Sequence, residues 1–393
     1  MNNKKVAIVS CYFYPNYGSQ LQSFATQKIL DQMGIENETI CIDGITDQLD
    51  RSKKKYYASK VFNFDVIKDK SGYIINRLRC KMDKELGKNF AIRKKKRNEF
   101  ANSMFRLTKT CNSFEELSKM CEDYSDVLLG SDQLWLPSNI EAGYYTLEFV
   151  PDNINKIAYA PSFGVSKLPP KQEERAKHFL PRIDHIAVRE KSGQKLIKDL
   201  TGRDVPCVCD PTLLFDGAEW SKEATDIKRD EDYIFCYFLG SNPLHRDFAN
   251  RLAKKTGCKI VTLKYCDIFV KNDKNFGDEA PFDIGPKEFL GLIKNAKYVC
   301  TDSFHGSVFS VQFHKQFFAF RRFAQKSVQS TNSRLDSLFN SCGIENRILS
   351  GEENIDDVLK EQIDYSEVDQ RLADYRKFSK QYLSDALGVN NND

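Results

Sequence analysis

The chain has 393 residues, 41% of them apolar and 29% charged, with a net charge of +4. Such a length favours two cores over one, and the composition, without Pro/Gly-rich or low-complexity tracts, excludes a disordered or fibrous protein. No stretch nears the ~20 apolar residues that span a bilayer, the net charge is too small to imply nucleic acid, and the opening MNNKKVAIVSCYFYPNYGS alternates like a strand rather than reading as a signal peptide.

In chain order, Val6–Tyr12 predicts a strand, the stretch through Pro15, Asn16 and Gly18 a loop, and Gln20–Met33, closed by Gly34, a helix. Positive charge then concentrates between about residues 51 and 109, in KKKYY and RKKKR, where inserted helices are expected. Such a region reads either as a solvated face or as a contact for a polyanion or an anionic membrane. The strand–helix grammar resumes with Asp126–Leu129 before GSDQLW, Lys156–Ala160 before PSFG, and His185–Val188 before a helix from Lys191 to Leu200. A second run starts near Asp204. It comprises Tyr233–Leu239, a helix over Arg246–Lys255, Lys259–Leu263, a helix opened by Pro286, Lys297–Thr301, a helix after His305, and Gln316–Phe320. The last helix, Ser366–Leu387, carries a stripe of Val368, Leu372, Tyr375, Phe378, Tyr382, Leu383 and Leu387.

The expected architecture is therefore α/β: two Rossmann-like domains with open parallel sheets facing a cleft. Residues 1–200 form the first, with a basic helical insertion at about 47–115; 201–350 form the second; 351–393 are a helical segment packing back on the first. The twelve cysteines carry no CxxC pair, and the spacing of Cys207 and Cys209 is wrong for a zinc site, so reduced thiols and no metal site are expected.

Open parallel sheets bind ligands beyond the carboxyl ends of their strands, where helix N-termini converge. The most informative string there is TDSFHGSVFS, residues 301–310, a strand-to-helix turn. Asp302 and Ser303 end the strand, Gly306 permits close backbone approach, and the amides of Gly306 and Ser307 are expected to receive an anion. His305 aims at that anion and suits general acid or base work, its plainer alternative being a turn histidine bonded to Asp302.

TDSFHG, together with GSDQLW at 130–135, AVRE at 187–190, DPTLLF at 210–215 and NYGSQLQ at 16–22, resembles the polysaccharide pyruvyl transferase family in order and in placement at strand ends, over about residues 5–345. The resemblance implies a glycosyltransferase-B-like pair of domains. It implies an enzyme that takes phosphoenolpyruvate as co-substrate, needs no metal or other cofactor, and places a pyruvate ketal on a sugar hydroxyl pair in surface polysaccharide biosynthesis. It also implies a catalytic His305 and a donor-binding Arg189. Family members often carry an arginine two residues before the histidine, where this chain has Ser303. Arg321, Arg322 and Arg334 are available substitutes, and Arg334 in TNSRLDSLF is preferred.

The donor's chemistry distributes further roles. Asp302 is expected to orient the ring of His305, and Asp132 to bind or deprotonate the acceptor. Asn16, Gly18 and Ser19 before the first helix, with Ser131, Gln133, Trp135 and Ser162, are expected to line the acceptor side, Trp135 and Tyr159 stacking on sugar rings if they are not core. The acceptor is a saccharide, lipid-linked or not, and the expected location is cytoplasmic with peripheral contact at the inner face of the membrane. Two rivals share the architecture: a nucleotide-sugar-dependent glycosyltransferase and a non-catalytic carbohydrate-binding protein.

Overall fold

A computed structural model describes residues 4–58, 75–76, 78–266, 268–322 and 333–389; part of the basic insertion, 59–74, lies outside the described residues. Two five-stranded, wholly parallel sheets organise the chain. The first contains β1 (Lys5–Val9), β2 (Glu36–Thr39), β3 (Asp126–Leu129), β4 (Asn155–Tyr159) and β5 (His185–Ala187) in the order β2-β1-β3-β4-β5. The second contains β6 (Tyr233–Tyr237), β7 (Lys259–Thr262), β8 (Tyr298–Thr301), β9 (Gln316–Phe320) and β10 (Ile348–Leu349) in the order β10-β9-β8-β6-β7. Every residue of β3 and β6 is buried, because helices cover both faces of each sheet.

Two strands left no mark in the sequence pattern. β2 reads ENET, yet Asn37 and Thr39 are buried, and Asn37 satisfies its amide on Asp31 Oδ1 and Ile35 O, both at 2.9 Å. A polar strand at a sheet edge carries no hydrophobic alternation to read. β10 has only two residues and closes the other sheet's edge.

Between the sheets, a Val188–Cys207 bridge prolongs the first before the chain crosses to β6. The final helix (Tyr365–Leu387) returns along both units: Ser379 Oγ accepts from the amide of Cys209 at 3.0 Å, and the carbonyl of Ala386 accepts from Asn155 Nδ2 at 3.1 Å. Its buried side chains include Val368, Leu372, Leu383 and Leu387, but Phe378, placed in the predicted stripe, is 51% exposed. At 100° per residue Phe378 falls about 80° to one side of Val368, on the flank of the stripe and away from its centre.

The basic insertion is not a free cationic face. In the helix Lys84–Met104, Arg93 is buried, donating to the carbonyls of Lys264 and Pro281 at 2.5 Å each, and Arg97 is buried against the carbonyl of Pro15. The expected contact of Arg93–Arg97 with a polyanion is therefore corrected for both arginines: they bind carbonyls on the two sides of the domain boundary. Lys96 lies 3.3 Å from Glu288, while Lys94 and Lys95 stay exposed. In the other run Lys53 sits 3.0 Å from Tyr14 Oη, and Lys54 and Lys55 are exposed. Among the described residues no helix is long and apolar enough to cross a membrane. All twelve cysteines are free thiols.

Candidate active site

Two helix N-termini, one from each sheet, meet at His305. The first opens α1 (Tyr17–Gln32), whose N-cap Asn16 accepts with Oδ1 from the amides of Gly18 at 2.9 Å and Ser19 at 3.2 Å. The second opens α2 (Phe304–Gln312), whose N-cap Ser303 accepts with Oγ from the amide of Gly306 at 3.3 Å. Both glycines are dictated by close approach. A Cβ on Gly306 would stand 2.5 Å from Thr301 Oγ1, and one on Gly18 would stand 2.0 Å from Nδ1 of His305. The imidazole thus packs on the backbone of the opposite unit.

The expected anion cradle at Gly306 and Ser307 is corrected. The Gly306 amide is taken by Ser303 Oγ and the Ser307 amide donates to the Ser303 carbonyl at 3.0 Å, so both are spent inside the helix turn. Ser303 serves as the cap, and Ser307 Oγ donates back to the Ser303 carbonyl at 3.1 Å.

Asp302 is corrected as well. Its carboxylate accepts from the amides of Leu239 at 2.7 Å and Gly240 at 2.8 Å, with His245 Nδ1 at 3.8 Å, so it ties the loop after β6 to the end of β8. The carboxylate near His305 belongs to Asp210, whose Oδ1 lies 3.7 Å from Nε2, an ion-pair separation too long for a hydrogen bond. Asp210 sits in the DPTLLF string, which carried no assigned role. The signal available there was an aspartate followed by proline, the N-cap signature of the short 3-10 turn Pro211–Leu213.

Around this carboxylate the charges interlock. Arg189 is buried, with Nη1 2.7 Å from Asp210 Oδ2, Nη2 3.2 Å from Asp132 Oδ1 and Nε 3.7 Å from Glu190 Oε2. Its guanidinium lies 4.7 Å from the ring centroid of Phe304, and that of Arg334, also buried, lies 5.8 Å from the same ring. Arg334 Nη1 approaches Asp132 Oδ1 at 3.8 Å. Arg321 instead pairs with Asp336 at 2.7 Å, and Arg322 lies against Asp302 at 3.8 Å.

Asp132 ties the start of α1 to the arginines. Ser19 Oγ donates to its Oδ2 at 2.5 Å, and its backbone has φ +88°, a left-handed conformation strained for a non-glycine residue. Burial opposes its ionisation, but Arg189, His305 and Arg334 outweigh that and hold the carboxyl at about 2. So low a value makes Asp132 a good hydrogen-bond acceptor and a weak base, which favours binding the acceptor over deprotonating it. Burial raises Glu190, its arginine neighbours only partly offsetting this. Burial likewise opposes ionisation of Asp210, and His305 and Arg189 reverse it, so that Asp210 is held far below the usual range.

Several expected acceptor residues are internal. Trp135 is fully buried between Phe163 and Phe179, its Nε1 donating to the Tyr145 carbonyl at 3.0 Å, and Tyr159 is buried beside Cys209, so neither ring stacks on a sugar. Ser131 Oγ lies 2.8 Å from the Ala160 carbonyl and 2.9 Å from Asp210 Oδ2, and Ser162 Oγ donates to Glu190 Oε1 at 2.6 Å, so both hydroxyls brace the charged cluster rather than face a ligand. Gln133 is half-buried beside Gly164, and its carbonyl accepts from Asn139 Nδ2 at 3.0 Å. A cavity of about 580 Å³ lies elsewhere, lined by Gly217, His314, Asp369 and Arg376, and no residue of the His305 cluster borders it.

The fold resembles those of several solved structures. The Staphylococcus aureus MnaA–UDP co-structure superposes with a TM-score of 0.50 at 12% identity, covering 99% of this chain and 98% of that one. The UDP-GlcNAc 2-epimerase from Neisseria meningitidis bound to UDP-GlcNAc gives 0.48 at 10% identity over 98% and 97% of the two chains. The E. coli ADP-heptose LPS heptosyltransferase II gives 0.40 at 10% over 96% and 99%. At such identities the first of these likenesses bears on the fold alone: two Rossmann-like domains of glycosyltransferase-B type. No curated protein matches the sequence. The family model described as polysaccharide pyruvyl transferase matches residues 16–322, from the Asn16 cap to Arg322 beyond the HG pair, and the chain belongs to that family.

Proposed function

We propose that the protein moves the pyruvyl group of phosphoenolpyruvate onto a pair of sugar hydroxyls as a cyclic ketal, releasing phosphate. One observation carries the reading: His305, at the start of α2, packs on Gly18 of the opposite unit, and Arg189 and Arg334 both lie over the ring of Phe304, 5.1 Å from the imidazole. A proton donor thereby stands beside two guanidinium groups, the combination that a carboxylate-and-phosphate substrate with a protonatable methylene carbon requires.

In the proposed sequence protonated His305 gives its proton to the methylene carbon, the C=C electron pair forming the new C–H bond. The adjacent carbon becomes oxocarbenium-like. An acceptor hydroxyl bonds to it and passes its proton to the now neutral imidazole. The bond to phosphate oxygen then breaks with its electron pair, the second hydroxyl closes the ketal, and that hydroxyl's proton leaves with phosphate. Arg334 and Arg189 hold the anionic groups. Asp132 occupies one face of Arg189 at 3.2 Å, so an incoming anion displaces it there or binds Arg334. Asp132 accepts a hydrogen bond from an acceptor hydroxyl. Asn16 holds the loop that brings Gly18 and Ser19 to the same place.

The acceptor is a saccharide. The proposal includes a cytoplasmic site of action with peripheral contact at an anionic membrane surface, for which Lys54, Lys55, Lys94 and Lys95 are among the exposed cations of the insertion. Phosphate release from phosphoenolpyruvate, measured with and without a panel of nucleotide-linked and lipid-linked saccharides, tests the reading. Release that depends on a saccharide supports it. Glycosyl transfer from a nucleotide sugar, without consumption of phosphoenolpyruvate, overturns it.

A further inference from the structure

Asp210 lies on the segment that joins the two units, and its side chain is 0% exposed. Its two oxygens face different ways. Oδ2 takes Arg189 Nη1 at 2.7 Å and Ser131 Oγ at 2.9 Å, both from the first unit. Oδ1 takes the Thr212 amide at 3.1 Å and Thr212 Oγ1 at 2.6 Å, and stands 3.7 Å from Nε2 of His305, from the second unit. The carboxylate cannot rotate without losing several of these contacts. Nε2 is itself enclosed and makes no hydrogen bond, whereas the other ring nitrogen lies on the Gly18 side, at the start of the first unit's helix α1.

A neutral imidazole carries its proton on one nitrogen only, and a fixed carboxylate beside one nitrogen favours the N–H there. We infer that Asp210 is a positioning residue for His305: it holds the ring with its proton on Nε2, directed at Oδ1, and leaves Nδ1 as the nitrogen that exchanges a proton with substrate. Because Asp210 also grips Arg189, one carboxylate sets the working histidine of one unit against the cation of the other. This inference rests on the proposed transfer for what Nδ1 does, but the placement of the ring proton does not depend on it.

The test begins with the substrate-free protein. Nitrogen-15 spectra of labelled histidine, assigned through loss of signal in His305→Gln, are expected to show the Nε2–H form of neutral His305 in the wild type. A mixture of both forms is expected in Asp210→Asn. A wild-type ring with its proton on Nδ1, or an unchanged spectrum in Asp210→Asn, overturns the inference whatever the substrate proves to be. If Asp210→Asn does not fold, Thr212→Val, which removes only the 2.6 Å contact to Oδ1, gives the same spectral readout in milder form. With substrates, Asp210→Asn is expected to lower kcat by about 10²–10⁴-fold, the scale seen when a histidine loses its orienting carboxylate. The KM for the saccharide should stay near its wild-type value. Near-normal kcat alongside an altered spectrum also overturns the assignment.

Discussion

Two clusters of histidine, aspartate and arginine stand at the carboxyl ends of the strands, and they are built for different work. In one, His245, Asp302, Arg246 and Asp273 all come from the second unit; Asp302 accepts two backbone amides, Arg246 Nε pairs with Asp273 at 2.7 Å, and the His245 ring stacks on Phe320 at 4.6 Å. In the other, His305 from the second unit meets Gly18, Asp132 and Arg189 from the first, with Asp210 from the segment between them. The first cluster spends its charges on its own backbone and sets loop geometry. The second brings charged groups of two units together at a helix start and retains a strained Asp132. Residue type alone does not separate the two clusters; what separates them is whether the contacts of the charged groups stay within one unit or cross between units, and the proposed function assigns the chemistry to the cluster that crosses.

The sharpest way to break this contrast is His305→Gln. Turnover is expected to fall by about 10²–10⁴-fold with a melting transition close to that of the wild type, because in the proposed reaction the ring supplies the proton and glutamine keeps much of its volume. A rate close to wild type would place the chemistry elsewhere.

The opposite pattern is expected for Asp302→Ala. Removing the acceptor of the Leu239 and Gly240 amides leaves two part-buried donors without it, at up to about 1–3 kcal/mol each, and the loss should appear as a lower urea midpoint. Assayed below that transition, the variant should retain far more of its kcat than His305→Gln does. A loss of turnover as deep as that of His305→Gln, without loss of stability, would reverse the roles of the two clusters.

Next comes Arg334→Ala, expected to raise the KM for phosphoenolpyruvate about tenfold or more, the scale of one charge-assisted hydrogen bond, while saccharide affinity measured by calorimetry stays constant. Weakened saccharide binding with intact donor binding would move Arg334 to the acceptor side.

The pH dependence of stability sharpens the contrast further. Asp132 is depressed from 3.8 to about 2, so its ion pairs contribute fully above pH 3.8 and are lost as pH falls through about 2. Asp132→Asn should therefore flatten the acid side of the stability curve within that window, read from urea unfolding at a series of pH values. An unaltered acid limb would mean that Asp132 is not held by its arginines.

The smallest effect concerns the surface. With Arg93 and Arg97 engaged by carbonyls, exposed lysines at about 1 kcal/mol each are what remains for an anionic bilayer. Weak sedimentation with anionic vesicles is expected, disappearing at high salt and on substituting Lys54, Lys55, Lys94 and Lys95 by Gln. Protein that ignores such vesicles at low salt would argue for a soluble acceptor.

Much of this arrangement was legible in the sequence, for definite reasons. Buried parallel strands such as DVLL and YIFCY advertise themselves by continuous apolar character, and the turns after them hold glycines because backbones approach closely there. The polar edge strand ENET gave no such signal, since its pairing depends on one neighbour and not on a hydrophobic face. Asp302 drew attention by adjacency in sequence, but the helix beginning at Phe304 turns His305 away from it and toward Asp210, 95 positions earlier in the numbering. Trp135 shared the short GSDQLW string with Asp132, yet it packs inward while Asp132 bonds to Ser19. Spacing along a chain reports neighbours on one element well and neighbours across two elements poorly.

The junction of the units has a final consequence. Gly18 and His305 belong to opposite halves, and the halves are fastened beside them by Tyr17, which donates through Oη to the Ile284 carbonyl at 3.0 Å and stacks on Phe289. A hinge movement wide enough to separate these groups dismantles the proton donor's surroundings in the same stroke. In the proposed reaction, readiness to react and exclusion of bulk water are then one event: the donor meets His305 only while the two units are joined around it, where a stray solvent molecule has little chance of taking the place of the acceptor hydroxyl.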